Sequence, residues 1–470
     1  MTTTPLKHPN LTLMIITLSY LMLVVDLSIA ITALPLIKTD LGFSTASLSW
    51  IQNAYTLAFG GLLLLGARIG DILGRRRMFI WGLAFFMGAS LIVGLADSAE
   101  VMITARILQG VGAAVLAPST LALLSTSFPQ QPARGRALAI YGSITGIGTT
   151  LGLVLGGWIA EAFDWRWAFL ANVPLGILLM VAARFYIQET DRQPGRLDVW
   201  GAVTSTFGMT AIVYGLIHAA EFGWTDAFTL PCVLSGLVFM WLFVEVEKRA
   251  AMPLVPLRLF NSAQRTGANL ARALFVGSMG AFWFFTSQYL QITKGMDPLE
   301  TGLAFLPMTL ASFAIAFFVP RLSRRFGDTP FLAGGLATVT IGTLWLSQFS
   351  VKGSYLLEIA IPMMLIGIGQ GASTIRLTSA GIAGVSAEDA GAASGLVSTH
   401  VQLGSSLGLS ILIALAATAA TKDASGNPTA PALLIAHQAN LALFGGGVLC
   451  AIALAVVLIF VLPKKHQLGD

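Results

Sequence analysis

The chain has 470 residues, of which 56% are hydrophobic and only 10% are charged. Soluble domains carry about 25% charged residues, so this composition excludes a water-soluble enzyme and a disordered chain. The two cysteines, Cys232 and Cys450, both lie in apolar stretches, so they imply no disulfide framework. The sequence therefore predicts an all-α protein that crosses a membrane several times.

Apolar segments of about 20 residues follow one another along the chain, and this is the length a helix needs to cross a bilayer. Fourteen such spans are predicted, near residues 11–33, 49–68, 79–96, 102–123, 137–160, 167–187, 198–219, 228–246, 266–291, 301–320, 331–349, 355–376, 392–417 and 438–462. Only short connections remain between them, so the chain has no room for an extended soluble domain.

The basic residues are distributed unevenly between the two sides of this predicted topology. An even number of spans places both termini on one side, and most of the 27 lysines and arginines fall in the connections on that side. Cytoplasmic loops carry such an excess of positive charge. The pattern predicts cytoplasmic termini, and it explains the net charge of +5 without a nucleic-acid partner.

Two connections on the predicted inner side resemble each other. Residues 68–79 (RIGDILGRRRMF) and 321–332 (RLSRRFGDTPFL) align with Gly74 opposite Gly327, although two similar basic turns can also arise by chance. Internal repeats are typical of secondary transporters, in which the substrate path lies between the repeats. We therefore predict a six-helix bundle in residues 1–192, a two-helix insert in 193–250 and a second six-helix bundle in 251–470.

Several short motifs occur in a fixed order along most of the chain. They are Asp26 through Pro35, GDILGRRR at 70–77, RILQGVGAA at 106–114, glycines between 148 and 157, WRW at 165–167, NVPLG at 172–176 and PLVPLR at 253–258. In this order they resemble the motifs of the major facilitator superfamily, and within it the fourteen-helix drug:proton antiporters of the QacA type. Three positions depart from that pattern, because Ile31 replaces an asparagine, Ala67 a glycine and Leu153 a proline.

The resemblance implies two pseudo-symmetric six-helix bundles with a two-helix insert, in a bacterial inner membrane. It also implies proton-coupled efflux of amphipathic, cationic drugs or toxic compounds by alternating access. Proton-coupled uptake or export of a specific metabolite is the alternative, because one fold supports several functions. The expected partners are a small-molecule substrate, protons and lipid, and the protein is expected to act as a monomer.

An enzyme is not expected. The five histidines are scattered, and the HExxH, GxSxG and GxxxxGK[ST] motifs do not occur. The sequence therefore predicts no catalytic residues, no metal site and no cofactor.

Asp26 lies within the first predicted span, about 15 residues or roughly 22 Å from its inner edge. This span ends in Ala33-Leu34-Pro35, which is not typical of a signal cleavage site, so we expect it to be retained. A carboxylate at that depth is costly unless it faces a cavity, is paired or takes a proton. Arg106 in the fourth span lies at a similar depth. The resemblance implies that this pair couples transport to protons, whereas structural pairing of Asp26 and snorkelling of Arg106 are the alternatives.

Two further groups of residues follow from the resemblance. Asp71, Gly74, Arg75 and Arg76, at the inner end of the second span, are expected to form a charge latch that favours one access state; positive-inside orientation alone is the alternative. The glycines of the fifth span are expected either to pack helices closely or to seal them during antiport. They are Gly148, Gly152, Gly156 and Gly157.

Polar or aromatic side chains within several spans are candidates to line a substrate cavity. Helix packing is the alternative, and for His400 it is at least as well supported as a proton relay. The candidates are Tyr55, Gln109, Asn269, Arg272, Gln288, Gln291 and His400.

Overall fold

This computed structural model describes residues 8–128, 130, 133–190, 192, 197–250, 252–385, 389–419 and 430–462. Within those ranges every regular element is helical. The helices that are long and apolar enough to span a membrane are α1 (Pro9–Leu41), α2 (Ser47–Leu73), α3 (Arg75–Gly94), α4 (Ala99–Ser127), α5 (Ala133–Ala162), α6 (Trp165–Tyr186), α7 (Val199–Phe222), α8 (Thr229–Arg249), α9 (Ala263–Thr293), α10 (Pro298–Ser323), α11 (Thr329–Leu346), α12 (Leu356–Gly381), α13 (Gly391–Ala416) and α14 (Pro431–Val461).

The fourteen spanning helices confirm the predicted all-α membrane fold, and each overlaps one of the predicted spans. Some helices are irregular. α6 consists of two segments, Trp165–Leu170 and Asn172–Tyr186, that meet at Ala171. α9 ends in a π-helical turn over Tyr289–Thr293. The break in α6 matters for the site, because it fixes where the second segment begins.

The chain divides into two compact units. The first contains Met1–Thr210, Phe239–Leu254 and Met296–Leu303, and the second contains Ala211–Val238, Val255–Gly295 and Ala304–Asp470. The predicted division at 192/193 and 250/251 places boundaries on residues 193 and 251, which lie outside the described residues. That three-part division therefore stays a prediction.

In the first unit, α4 packs against both α2 and α3, and α1 packs along α5. Aromatic and aliphatic side chains such as Met22, Phe79, Leu83 and Phe86 form a buried core between these helices. Full burial of one such side chain contributes about 1.5–3 kcal/mol. This apolar packing surrounds the polar residues of the candidate site.

In the second unit, α9 packs against α13 and α14. The backbones of α9 and α13 approach so closely that a methyl group added at Gly408 would lie 2.3 Å from the Cα of Gly277. One turn earlier, the same addition at Gly404 would lie 2.7 Å from the Cα of Ala273. Small residues at four-residue spacing allow such contacts between membrane helices.

We predict that Gly408→Ala lowers the stability of the protein, because its new methyl group meets backbone atoms that cannot rotate away. Overpacking of this kind costs about 1–3 kcal/mol. Gly391→Ala is a control on the same helix, since nothing lies within 4 Å of an added Cβ there. The apparent melting temperature in nanodiscs should fall for Gly408→Ala only; equal values for the two variants would contradict the close contact.

Candidate functional site

Asp26, on α1, and Arg106, on α4, form a direct ion pair. The distance from Arg106 Nη1 to Asp26 Oδ2 is 2.7 Å, and neither side chain has any exposed surface. Breaking a buried pair by removing one partner typically costs about 3–5 kcal/mol, because the other charge remains in an apolar environment. The pair therefore constrains the arrangement of α1 and α4.

Two amide groups complete the surroundings of the carboxylate. Gln109 Nε2 lies 3.1 Å from Asp26 Oδ1, and Asn172 Nδ2 lies 2.9 Å from the same oxygen. Both donors are buried. Donors from α4 and α6 thus complete the hydrogen bonding of the Asp26 carboxylate in the described conformation.

Arg106 is itself held by several groups besides Asp26. Its Nε donates to the carbonyl of Ile51 on α2 at 2.8 Å, and its Nη1 donates to Gln109 Oε1 at 2.7 Å. Its guanidinium carbon lies 4.6 Å from the centre of the Tyr55 ring. Such a cation–π contact stabilises a desolvated cation by about 2 kcal/mol. These contacts determine the direction in which the guanidinium group points.

The hydrogen bonds continue to α3. Gln109 Nε2 also donates to Ser90 Oγ at 2.8 Å, and Ser90 Oγ donates to the carbonyl of Phe86 at 2.8 Å. Ser90 is fully buried. The network therefore connects α1, α2, α3, α4 and α6, all within the first unit.

Asn172 reaches Asp26 because of the break in α6. Asp164 Oδ1 accepts the backbone N–H of Arg166 and caps the first segment, and Asn172 is the first residue of the second segment. Sequence analysis included Asn172 in a motif but gave it no role. The sequence feature that could have revealed this role is an amide residue two positions before Pro174 in an otherwise apolar stretch.

The complete burial of this network bears on the expectation for Asp26. A deep carboxylate was expected to face a cavity, to be paired or to take a proton, and the structure shows the paired arrangement. Because the side chain has no exposed surface here, exchange of a proton requires the helices around it to move apart. A role in proton coupling stays a prediction.

At the predicted inner end of α2, the Asp71 carboxylate pairs with the guanidinium group of Arg75. Gly74 joins α2 to α3 with a φ of 105°, a conformation that glycine adopts without strain. Arg76 pairs with Glu189 instead of Asp71, and the distance from Arg76 Nε to Glu189 Oε2 is 3.9 Å. The four predicted latch residues thus lie together, and their role in gating stays a prediction.

Glu189 is a residue of this cluster that sequence analysis missed. Its carboxylate accepts the backbone N–H groups of Arg76 at 2.9 Å and Arg77 at 3.0 Å. These are orphan donors in the first turn of α3, and an acidic group there is favoured by the helix dipole. Glu189 lies more than 100 residues away in sequence, so a local capping pattern does not reveal it.

The second turn of the predicted repeat has the same local backbone geometry. Gly327 has a φ of 78°, and its N–H donates to the carbonyl of Ser323, just as that of Gly74 donates to Gly70. The ion pair differs, because Asp328 lies 3.1 Å from Arg376 on α12. The two turns are thus alike in conformation but not in their charged partners.

Three of the four α5 glycines face α1. A methyl group added at Gly152 would lie 2.6 Å from the Cβ of Ser28, and one at Gly156 would lie 2.8 Å from the Cα of Ile29. Gly148 faces the side chains of Leu21 and Val24. The fourth glycine, Gly157, faces the carbonyl of Pro298 at the start of α10 instead. These glycines provide close packing, and an additional part in antiport stays a prediction.

The remaining cavity candidates have hydrogen-bond partners on their own helix or on α12. In α9, Asn269 bonds to the Gly381 carbonyl, Arg272 to that of Thr374, Gln288 to that of Phe284, and Gln291 to the hydroxyl of Ser287. His400 Nδ1 lies 2.8 Å from the carbonyl of Leu396 on its own helix. Tyr55 and Gln109 belong to the buried network around Asp26 instead. Contact of any of these residues with a substrate stays a prediction.

Fourteen helices that can span a membrane, and a buried carboxylate–guanidinium network within the first unit, are the features of a polytopic membrane transporter. The family model of the Major Facilitator Superfamily matches residues 16–202 and 199–409. The chain belongs to the major facilitator superfamily.

Similar proteins include exporters and resistance proteins. The chain is 40% identical to the cephamycin export protein CmcT of Amycolatopsis lactamdurans, over 93% of this chain and 90% of that protein. It is 36% identical to the puromycin resistance protein pur8 of Streptomyces alboniger, over 95% and 90%. Among solved structures, a bacterial homolog of the human lysosomal transporter Spinster has a TM-score of 0.68 and 15% identity, with 96% of each chain covered. This last likeness concerns the fold.

We predict that Asn172→Ala destabilises the protein, because Asp26 Oδ1 loses one of its two amide donors. A lost hydrogen bond to a charged group costs about 1.5–3 kcal/mol. A double-mutant cycle with Asp26→Asn, measured by thermal unfolding in nanodiscs, should give a coupling energy of similar size. Asn10→Ala, at an exposed position of α1, is the control; additive effects of Asn172→Ala and Asp26→Asn would contradict the contact.

We also predict that Glu189→Ala destabilises the start of α3. Loss of a capping side chain typically costs about 1 kcal/mol. Glu189→Gln keeps an acceptor oxygen but loses the charge, so it should retain part of the stability. Amide hydrogen exchange of the Arg76 and Arg77 peptides reports the effect, and unchanged exchange in Glu189→Ala would argue against capping.

Proposed function

We propose that this protein exports small amphipathic compounds of the antibiotic type in exchange for protons, by alternating access, with Asp26 as the proton carrier. Its relatives include a protein named for cephamycin export and another named for puromycin resistance. The observation that carries the proposal is the Asp26–Arg106 pair, which is fully buried and in direct contact. An intramembrane ion pair of this kind is expensive and is typical of proton and substrate pathways.

The buried network supplies a physical basis for coupling. When Asp26 takes a proton, its attraction for Arg106 is lost, and the guanidinium group needs another partner or access to water. The charged and protonated forms therefore favour different arrangements of α1 and α4. A ligand or proton shifts a two-state equilibrium by its differential affinity for the two states.

The helices around Asp26 are suited to a small movement. Three of the α5 glycines lie against α1, the helix that carries Asp26. We propose that this close contact, which has no side chains at the three glycines, lets α5 and α1 shift along each other while water stays excluded. Leu153, which replaces the proline of the family pattern, is buried in the same helix.

The charge latch is proposed to favour one access state through the Asp71–Arg75 and Arg76–Glu189 pairs. Side chains of both pairs are partly exposed, between 15% and 35%. Pairs near the surface contribute about 0–1 kcal/mol. The latch is therefore proposed to adjust the balance between states rather than to lock it.

Proton-coupled export also fits the energetics of a bacterial plasma membrane. One elementary charge that moves through 100 mV releases about 2.3 kcal/mol, enough to concentrate a substrate more than tenfold. We propose that both termini are cytoplasmic, and that the protein acts as a monomer in the lipid bilayer.

We predict that Asp26→Asn abolishes proton-driven transport of lipophilic drugs into everted membrane vesicles. Asparagine cannot exchange a proton at this position, so transport per amount of folded protein in the vesicles should fall at least tenfold. Asp97→Asn, in the exposed loop before α4, should transport like the parent. The measurement is drug accumulation with and without an imposed pH gradient.

Two results would contradict the proposal. Full gradient-dependent activity of Asp26→Asn would remove this residue as the proton carrier. Transport of a nutrient in the uptake direction, without drug export by the parent protein, would favour the metabolite transporter.

Arg106→Lys tests whether the charge of Arg106 is sufficient or its contact geometry is also needed. Lysine keeps the charge but cannot reproduce the forked contacts to Asp26 and Ile51.

A further inference from the structure

A cavity of about 440 Å³ lies at one end of the second unit. Its walls come from the starts of α9 and α11 and from the ends of α10, α12 and α14. By the fourteen-span topology, all five of these helix ends lie on the predicted cytoplasmic side. The cavity is therefore at the level of the headgroups of the inner leaflet.

Arg376 provides the positive charge in this cavity. Its side chain is 9% exposed, and it lines the wall from α12. Its Nη1 donates to the carbonyl of Ala372, and its Nε lies 3.1 Å from Asp328 Oδ1. Asp328 is 76% exposed, so its contact with Arg376 is weakened by water. An entering anion competes with Asp328 at modest cost.

The rest of the lining combines hydrogen-bonding groups with an apolar wall. Three residues with hydroxyl groups, Ser323, Thr329 and Ser379, line the cavity together with Arg376. Thr329 is also the first residue of α11, where the helix dipole favours negative charge and the Thr329 N–H has no partner within the helix. Guanidinium, hydroxyl and amide donors together are suited to phosphate.

The apolar wall indicates what the phosphate is attached to. It includes Leu332, Ile375, Val461 and Leu462. The lining residue Ile375 is 53% exposed, and Ile459 and Phe460, which directly precede the lining residue Val461 on α14, are 62% and 50% exposed. In a membrane helix such surface faces lipid chains, so exposed apolar surface adjoins the cavity lining. A free phosphate ion makes no favourable contact with this apolar wall. A phospholipid can place its phosphate in the polar part of the cavity and its acyl chains along the apolar wall.

We propose that this cavity binds the headgroup of an anionic phospholipid from the inner leaflet, with its phosphate on Arg376 and its chains along α14. The site lies within the second unit and includes none of the residues assigned to proton coupling. It is therefore independent of the proposed transport function.

Binding can be tested with the full-length protein and phosphatidylglycerol, with phosphatidylcholine as the neutral-headgroup comparison. Native mass spectrometry from detergent counts the lipids that the protein retains. We expect retention of phosphatidylglycerol over phosphatidylcholine, and we expect Arg376→Gln to weaken it about tenfold, the effect of losing a charge-assisted hydrogen bond. Arg321→Gln is the matched control, because it also removes one arginine charge on the predicted cytoplasmic side, at the end of α10, but Arg321 does not line the cavity.

For Asp328→Asn we expect the opposite change in lipid retention. Asp328 is exposed, so this substitution does not endanger folding. Removal of the competing carboxylate should increase retention of phosphatidylglycerol severalfold. Equal retention in Arg376→Gln and Arg321→Gln, or no increase in Asp328→Asn, would overturn the site. Displacement of the lipid by millimolar inorganic phosphate, with equal thermal protection by phosphate alone, would overturn the lipid assignment in favour of a soluble phosphate compound.

Discussion

The burial of one carboxylate in the first spanning helix is the constraint around which the first unit is organised. Asp26 receives a guanidinium on one oxygen and two amide groups on the other. Removing these groups from water is expensive, and the expense is offset only when every member of the network is well placed. The positions of α4 and α6 relative to α1 are therefore set by hydrogen-bond geometry as well as by apolar packing.

The same constraint connects stability with function. A network of this kind resists small distortions, because interactions in an apolar environment are strong and directional. It also contains a group whose charge changes with a single proton. Glycines let helices approach closely, as α1 and α5 do. In the proposed mechanism, this close contact lets α1 shift along α5 when the charge of Asp26 changes.

Much of the architecture followed from the sequence. The number of spans, their approximate limits and the presence of Asp26 and Arg106 at similar depth were predicted from apolar length and from helix geometry. These are local properties, since a membrane helix forms its backbone hydrogen bonds within itself and needs only a sufficiently long apolar segment. The similarity of two short segments aligned Gly74 with Gly327, and the structure shows that both have a positive φ.

The partners of those residues were decided by tertiary structure. Asn172 reaches Asp26 because α6 is broken at Ala171, and Glu189 reaches α3 from beyond the end of α6. Gln109, a candidate for the substrate cavity, lies within the ion-pair network. A sequence fixes which side chains are too polar to face lipid, because that depends on composition along a single helix. Which groups meet them depends on how separate helices rotate and pack, and this follows from contacts between residues far apart in the chain.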